Sequence, residues 1–110
     1  MSVSSKKKLS QYERLAGMLR DRIAVGTYAR GDKLPSEMEL MDESGLSRST
    51  VRHALKVLVD EGLVRTERTA GRYVTEDRAL IEQLRAATAE KFAEEFLEKM
   101  RGIGYSPAQV

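Results

Sequence analysis

The chain has 110 residues, no cysteine, no tryptophan, one histidine, and a net charge of +2 from 19 basic and 17 acidic side chains. That length is one domain plus at most a short appendage, and 41% hydrophobic against 33% charged residues is enough apolar material for one packed core. The missing cysteines exclude a disulfide framework and thiolate metal sites, and apolar runs no longer than three residues exclude a membrane-spanning helix.

Lys6-Lys7-Lys8 is followed by Ser10-Gln11-Tyr12-Glu13-Arg14 where a signal peptide would be apolar, so a cytoplasmic protein is expected. Residues 1–8 are expected as a flexible basic arm. Tyr12, Leu15, Ala16, Leu19 and Ile23 then share one face of a helix that ends before Gly26. Gly26 to Pro35 is expected as a loop, with a short strand at Lys33-Leu34. Pro35 and the capping box Ser36-x-x-Glu39 start a second helix of about two turns, closed by Ser44-Gly45.

Ser47 is the N-cap of a third helix that runs to about Glu61 and stops at Gly62. Val51, Ala54 and Leu58 fall on one side of it, while Arg48, Ser49, Arg52, His53 and Lys56 spread over the other. Leu63 to Arg68 and Arg72 to Thr75 are expected as the strands of a hairpin turning at Thr69-Ala70-Gly71. A long helix is expected from about Glu76 to Arg101, with a break near Ala86–Ala89 and with Leu80, Leu84, Phe92, Phe96, Leu97 and Met100 as its large apolar residues. Ser106-Pro107 marks the start of one more helix. The charge divides with the pattern: residues 1–76 carry 14 basic and 11 acidic side chains, residues 77–110 five and six.

Helix, short helix, turn, helix and hairpin is the order of a winged helix-turn-helix. The short helix and the inner face of the third helix bury each other, which leaves the outer face free to enter a major groove about 12 Å wide. Ser47, Arg48, Ser49 and Thr50 would reach furthest into it. Arg48 suits a bidentate contact to guanine, the hydroxyls suit phosphates or base edges, and Arg52 lies one turn on. Arg68 and Arg72 flank a hairpin tip that can lie along the backbone or in the minor groove. Ser36 and His53 complete the candidate DNA-binding set. A lone histidine with no cysteine makes no zinc site, so no metal or cofactor is expected.

Residues 31–40 (Gly-Asp-Lys-Leu-Pro-Ser-Glu-Met-Glu-Leu), 45–55 (Gly-Leu-Ser-Arg-Ser-Thr-Val-Arg-His-Ala-Leu) and Glu61-Gly62-Leu63-Val64 closely resemble the DNA-binding domain of GntR-family transcriptional regulators, over about residues 9–75. The resemblance implies that Ser47, Arg48, Ser49, Thr50 and Arg52 contact DNA and that Thr69 to Arg72, with Gly71, form the wing tip. Two positions depart from the family pattern: Met38 stands where arginine is usual, and Thr69-Ala70-Gly71-Arg72 replaces Gly-x-Gly-Thr. The remainder, residues 76–110, resembles the YtrA-like subgroup, whose short helical tail makes the dimer. Leu80, Leu84, Phe92, Phe96, Leu97 and Met100 are its candidate dimer interface.

The expected protein is thus mainly α with a small β-hairpin: a winged helix-turn-helix with a C-terminal α-helical dimerisation tail. It would bind double-stranded DNA as a homodimer on an inverted repeat and act as a repressor, although activation suits the same residues. The residues name no small-molecule effector. A winged-helix protein-interaction module without DNA readout is the alternative. An enzyme is rejected: the carboxylate pairs Glu37/Glu39 and Glu94/Glu95 read as caps and solvated faces, and no nucleophile–base pair or phosphate-cradling loop accompanies them.

Overall fold

A computed structural model describes residues 9–68 and 70–105. The expected arm, Thr69 at the hairpin tip and the expected helix after Ser106-Pro107 lie outside the described residues. The element order is α1 (Gln11–Ala24), α2 (Glu37–Ser44), α3 (Arg48–Asp60), β1 (Val64–Glu67), β2 (Gly71–Val74) and α4 (Arg78–Gly102).

Each of the first three helices starts on a serine that its own first turn requires. A helix leaves its first four N–H groups without intrahelical partners, and a side-chain oxygen at the N-cap satisfies one of them. Ser10 and Ser36 form reciprocal capping boxes with Glu13 and Glu39. For Ser36 the backbone N–H donates to Glu39 Oε1 at 2.8 Å and the Glu39 N–H donates to Ser36 Oγ at 3.0 Å. Ser47 caps α3 by accepting from the Thr50 N–H at 3.2 Å. Between α2 and α3, Gly45 takes φ +74°, a left-handed conformation that ends α2 with a Gly45 N–H···O=C Met41 bond of 2.8 Å. That turn lets α3 follow α2 with only three residues between them.

The apolar faces of the three helices meet in one core. Leu19, Leu40, Val51, Leu55, Leu58 and Val74 are fully buried at its centre, and Leu15, Ile23, Leu34, Leu63, Val64 and Ile81 close it. The hairpin pairs antiparallel, Val64 opposite Val74, Arg65 opposite Tyr73, Thr66 opposite Arg72 and Glu67 opposite Gly71. β1 is two residues shorter than expected, and β2 keeps four residues but starts and ends one residue earlier. Leu63 is buried in the core while its carbonyl still accepts from the Thr75 N–H at 2.8 Å. The expected strand at Lys33-Leu34 is a single bridge, Lys33 to Tyr73. The segment before α2 still lies along the outer edge of β2, held by Leu34 N–H to Arg72 O and Val74 N–H to Asp32 O, each 2.8 Å. This seam fixes the hairpin against the start of α2.

Asp77 caps α4, which follows β2 after a three-residue link. The expected break near Ala86–Ala89 is absent: α4 is one continuous helix of 25 residues. Ala86, Ala87 and Ala89 are the strongest helix formers available, and Thr88 is buried between the head and the helix instead of interrupting it. Leu80, Ile81 and Leu84 pack against the head's core, and Lys91 Nζ reaches Asp21 Oδ1 of α1 at 2.6 Å. Beyond that pair Phe92 and Phe96 are exposed, while Leu97 and Met100 are half-buried.

Candidate nucleic-acid interface

The capping geometry of α3 decides what its first turn can offer. Ser47 is occupied as N-cap, and its hydroxyl also lies 2.9 Å from Thr50 Oγ1 and 3.4 Å from Ser49 Oγ. The three hydroxyls therefore form one connected, solvent-facing patch. Such groups have spare lone pairs and rotatable protons, suited to phosphate oxygens or base edges. Arg48 follows directly, exposed at the helix start, and Arg52 one turn later has a side chain 61% exposed.

Three elements converge on a single carboxylate. Glu37, the first residue of α2, accepts from Arg48 Nη1 at 2.8 Å, from Arg52 Nε at 3.0 and 3.1 Å, and from Arg72 Nη2 of the hairpin at 3.1 Å. Its side chain is only 15% exposed. Burial works to raise the Glu37 pKa, but hydrogen bonds from Arg52, Arg72 and Arg48 outweigh it and hold the carboxyl below the ordinary carboxylate range. Three guanidinium groups against one carboxylate leave the cluster with a formal charge of +2. Arginine's planar fork makes the arrangement directional as well as charged. The expectation that Glu37 is merely a cap or solvated acid is therefore corrected: Glu39 serves the cap, and Glu37 gathers the recognition helix and the hairpin onto α2.

The other candidates distribute as follows. Ser36 is exposed, but its hydroxyl and N–H serve the capping box. His53 is exposed and stacked on Tyr12 of α1, ring centroids 3.6 Å apart and planes 9° from parallel. The stack props the start of α1 against the outer face of α3. Arg68 is exposed in the turn before the hairpin tip. Gly71 takes φ +95°, a left-handed conformation that favours glycine, and the Lys33 stem crosses the wing there, its Cε 3.1 Å from where a Cβ would stand. Arg65 sits over the Tyr73 ring at 5.0 Å and pairs with Glu67. Lys33 and Arg65, neither of them in the expected DNA-binding set, extend the basic surface onto the wing. Leu80 and Leu84, two of the residues expected at a dimer interface, are half-buried against the core of their own chain. Among the described residues no group of three or more His, Cys, Asp or Glu side chains is placed to hold a metal ion, and no helix is long and apolar enough to cross a membrane.

Comparison with known proteins bears on this face directly. Residues 11–74 match the family described as bacterial regulatory proteins, gntR family. The mannosyl-D-glycerate transport/metabolism system repressor MngR of Escherichia coli is 42% identical over 67 residues, covering 61% of this chain and 28% of that protein. The Exu regulon transcriptional regulator of the same organism is 37% identical over 78 residues, 71% of this chain and 30% of the relative. The chain thus spans less than a third of the length of these curated relatives. A GntR family transcriptional regulator from Listeria monocytogenes superposes with a TM-score of 0.74 at 31% identity, over 97% of this chain and 91% of that one. The AraR DNA-binding domain, solved in complex with operator ORR3, superposes with a TM-score of 0.61 at 31% identity, covering 68% of this chain and 90% of that one.

Proposed function

The chain belongs to the gntR family of bacterial regulatory proteins and carries its winged helix-turn-helix DNA-binding domain, and on that premise we propose that it is a sequence-specific transcriptional regulator that represses by occupying an operator. The head, residues 9–75, reads double-stranded DNA, with α3 in the major groove and residues 68–72 on the backbone or in the minor groove. Residues 76–110 make a homodimer, as in the YtrA-like subgroup. The regulator works in the cytoplasm, where its DNA is, and catalyses no reaction.

The observation that carries this reading is the convergence of Arg48, Arg52 and Arg72 on Glu37. It fixes the recognition helix and the wing as one rigid positive face, with the hydroxyls of Ser47, Ser49 and Thr50 beside it. Two-fold symmetry calls for an inverted repeat with half-sites about 10 bp apart, or a multiple of that spacing. Phosphate contacts release counterions, so affinity should fall steeply with salt.

A mobility-shift titration on DNA selected from a random pool, with random duplex as competitor, tests the proposal. Strong preference for the selected duplex is expected. Equal affinity for both would leave a winged-helix module without DNA readout. Arg48→Ala is expected to lower discrimination at one base pair in each half-site by about 1–3 kcal/mol. Wild-type discrimination in that variant would show that the N-terminal turn of α3 is not the reading element.

A further inference from the structure

Seven large hydrophobic side chains stand exposed among the described residues, and six have positions away from the arginine cluster in sequence. Phe92, Phe96, Ile103 and Tyr105 belong to the outer half of α4 or follow it, Leu9 precedes α1, and Val25 follows it. The seventh is Met38, which is 56% exposed and sits on the first turn of α2, next to the Glu37 that holds Arg48, Arg52 and Arg72. The capping box there is complete with Ser36 and Glu39, and the core contact of α2 is made by Leu40 and Met41. Met38 takes part in neither. It is an unbranched, polarisable apolar side chain on a turn whose neighbours across the cluster are charged.

In the proposed docking this turn stands at the lip of the groove that α3 enters. Phosphate oxygens and carbonyl base edges offer nothing to a thioether, and amino edges offer it only a weak hydrogen bond. The apolar group that base pairs present in the major groove is the C5-methyl of thymine. We propose that Met38 is a specificity-determining residue that covers a thymine methyl in each half-site, adjacent to the base pair contacted by Arg48. The inference rests on the DNA-reading proposal above and deepens it. The preference it adds is apolar and independent of salt, unlike the contacts made by the arginines around it.

The test uses the full chain and its selected operator, with each thymine replaced singly by deoxyuridine, which removes only the C5-methyl. Wild type is expected to lose about fourfold in affinity at one thymine per half-site, the worth of one buried methyl. Met38→Ala should be indifferent to the methyl at that position and follow wild type at all others. Met38→Leu, which keeps apolar bulk on an exposed turn, should retain the sensitivity. Identical deoxyuridine profiles for wild type and Met38→Ala would overturn the inference, as would a selected half-site with no methyl-sensitive thymine, while leaving DNA reading intact. Equal binding of wild type to selected and random duplex would overturn both.

Discussion

Replacing Phe92 and Phe96 together by glutamate is expected to give a folded monomer whose affinity for an inverted-repeat operator is lower by about two to four orders of magnitude. That loss is the avidity gained when two heads bind as one molecule. The argument starts from α4. Its first half is spent on its own head, through Leu80, Ile81, Leu84, Thr88 and the Lys91–Asp21 pair. Its second half presents Phe92 and Phe96 on the surface, with Leu97 and Met100 half-buried beside them. Spacings of four residues place Phe92, Phe96 and Met100 along one stripe, and such a stripe is an unusual thing for a small monomer to leave in water. Light scattering of the free proteins checks the state of assembly, and circular dichroism checks that the head remains folded. A variant that stays dimeric, or a wild type that is monomeric at micromolar concentration, would remove α4 from the dimer interface.

Glu37→Gln should have the second largest effect, and its signature is a change in ratio. One negative charge leaves the surface proposed to meet phosphates, so affinity for random duplex should rise and its salt dependence steepen. At the same time Arg48 and Arg52 lose the carboxylate that holds their planes, so preference for the operator over random DNA should fall by about ten- to a hundredfold. The stability cost is smaller, about 1 kcal/mol, because Arg48 and Arg52 are well exposed and solvent screens their pairing. Its pH dependence has a definite sign. Because Glu37 has a folded-state pKa below its ordinary value, the unfolded chain binds the proton first as pH falls. The stabilisation is complete above the ordinary glutamate range near ~4.3 and is lost as pH drops through the depressed value. Thermal melts of wild type and Glu37→Gln should therefore differ at neutral pH and converge in acid. Unchanged discrimination in Glu37→Gln would show that the arginines orient themselves without it.

The helices were legible because their signals are local. Ser36-x-x-Glu39 and Ser47 each specify a helix start within four residues, and Gly45 specifies the turn between them. The arginine cluster was not legible as a cluster. Glu37 is 11, 15 and 35 residues from its three partners, and an acid directly after an N-cap already has a sufficient local explanation in the helix dipole. The stacking of His53 on Tyr12 was hidden for the same reason: it depends on how α1 crosses α3. In α4 the sequence shows which residues are apolar but not which face docks. Leu80 and Leu84 belong to the head because the short link after β2 lays the first turns of α4 across the end of α1. The run Ala86-Ala87-Thr88-Ala89 resembles an interruption only if a polar residue within it is assumed to face water, and Thr88 does not.

The unbroken course of α4 gives the molecule a rotational phase. The helix is anchored to the head at Ile81 and again at Lys91, with no hinge between. In a dimer joined through its outer half, the azimuth of Phe92 about the helix axis therefore sets the angle between the two reading faces. Each residue inserted between the anchored half and the stripe would turn that angle by about 100° and advance it by about 1.5 Å. Half-site spacing and relative groove orientation are then inherited from helical geometry, and a regulator of this build would change its operator architecture by gaining or losing residues far from any base.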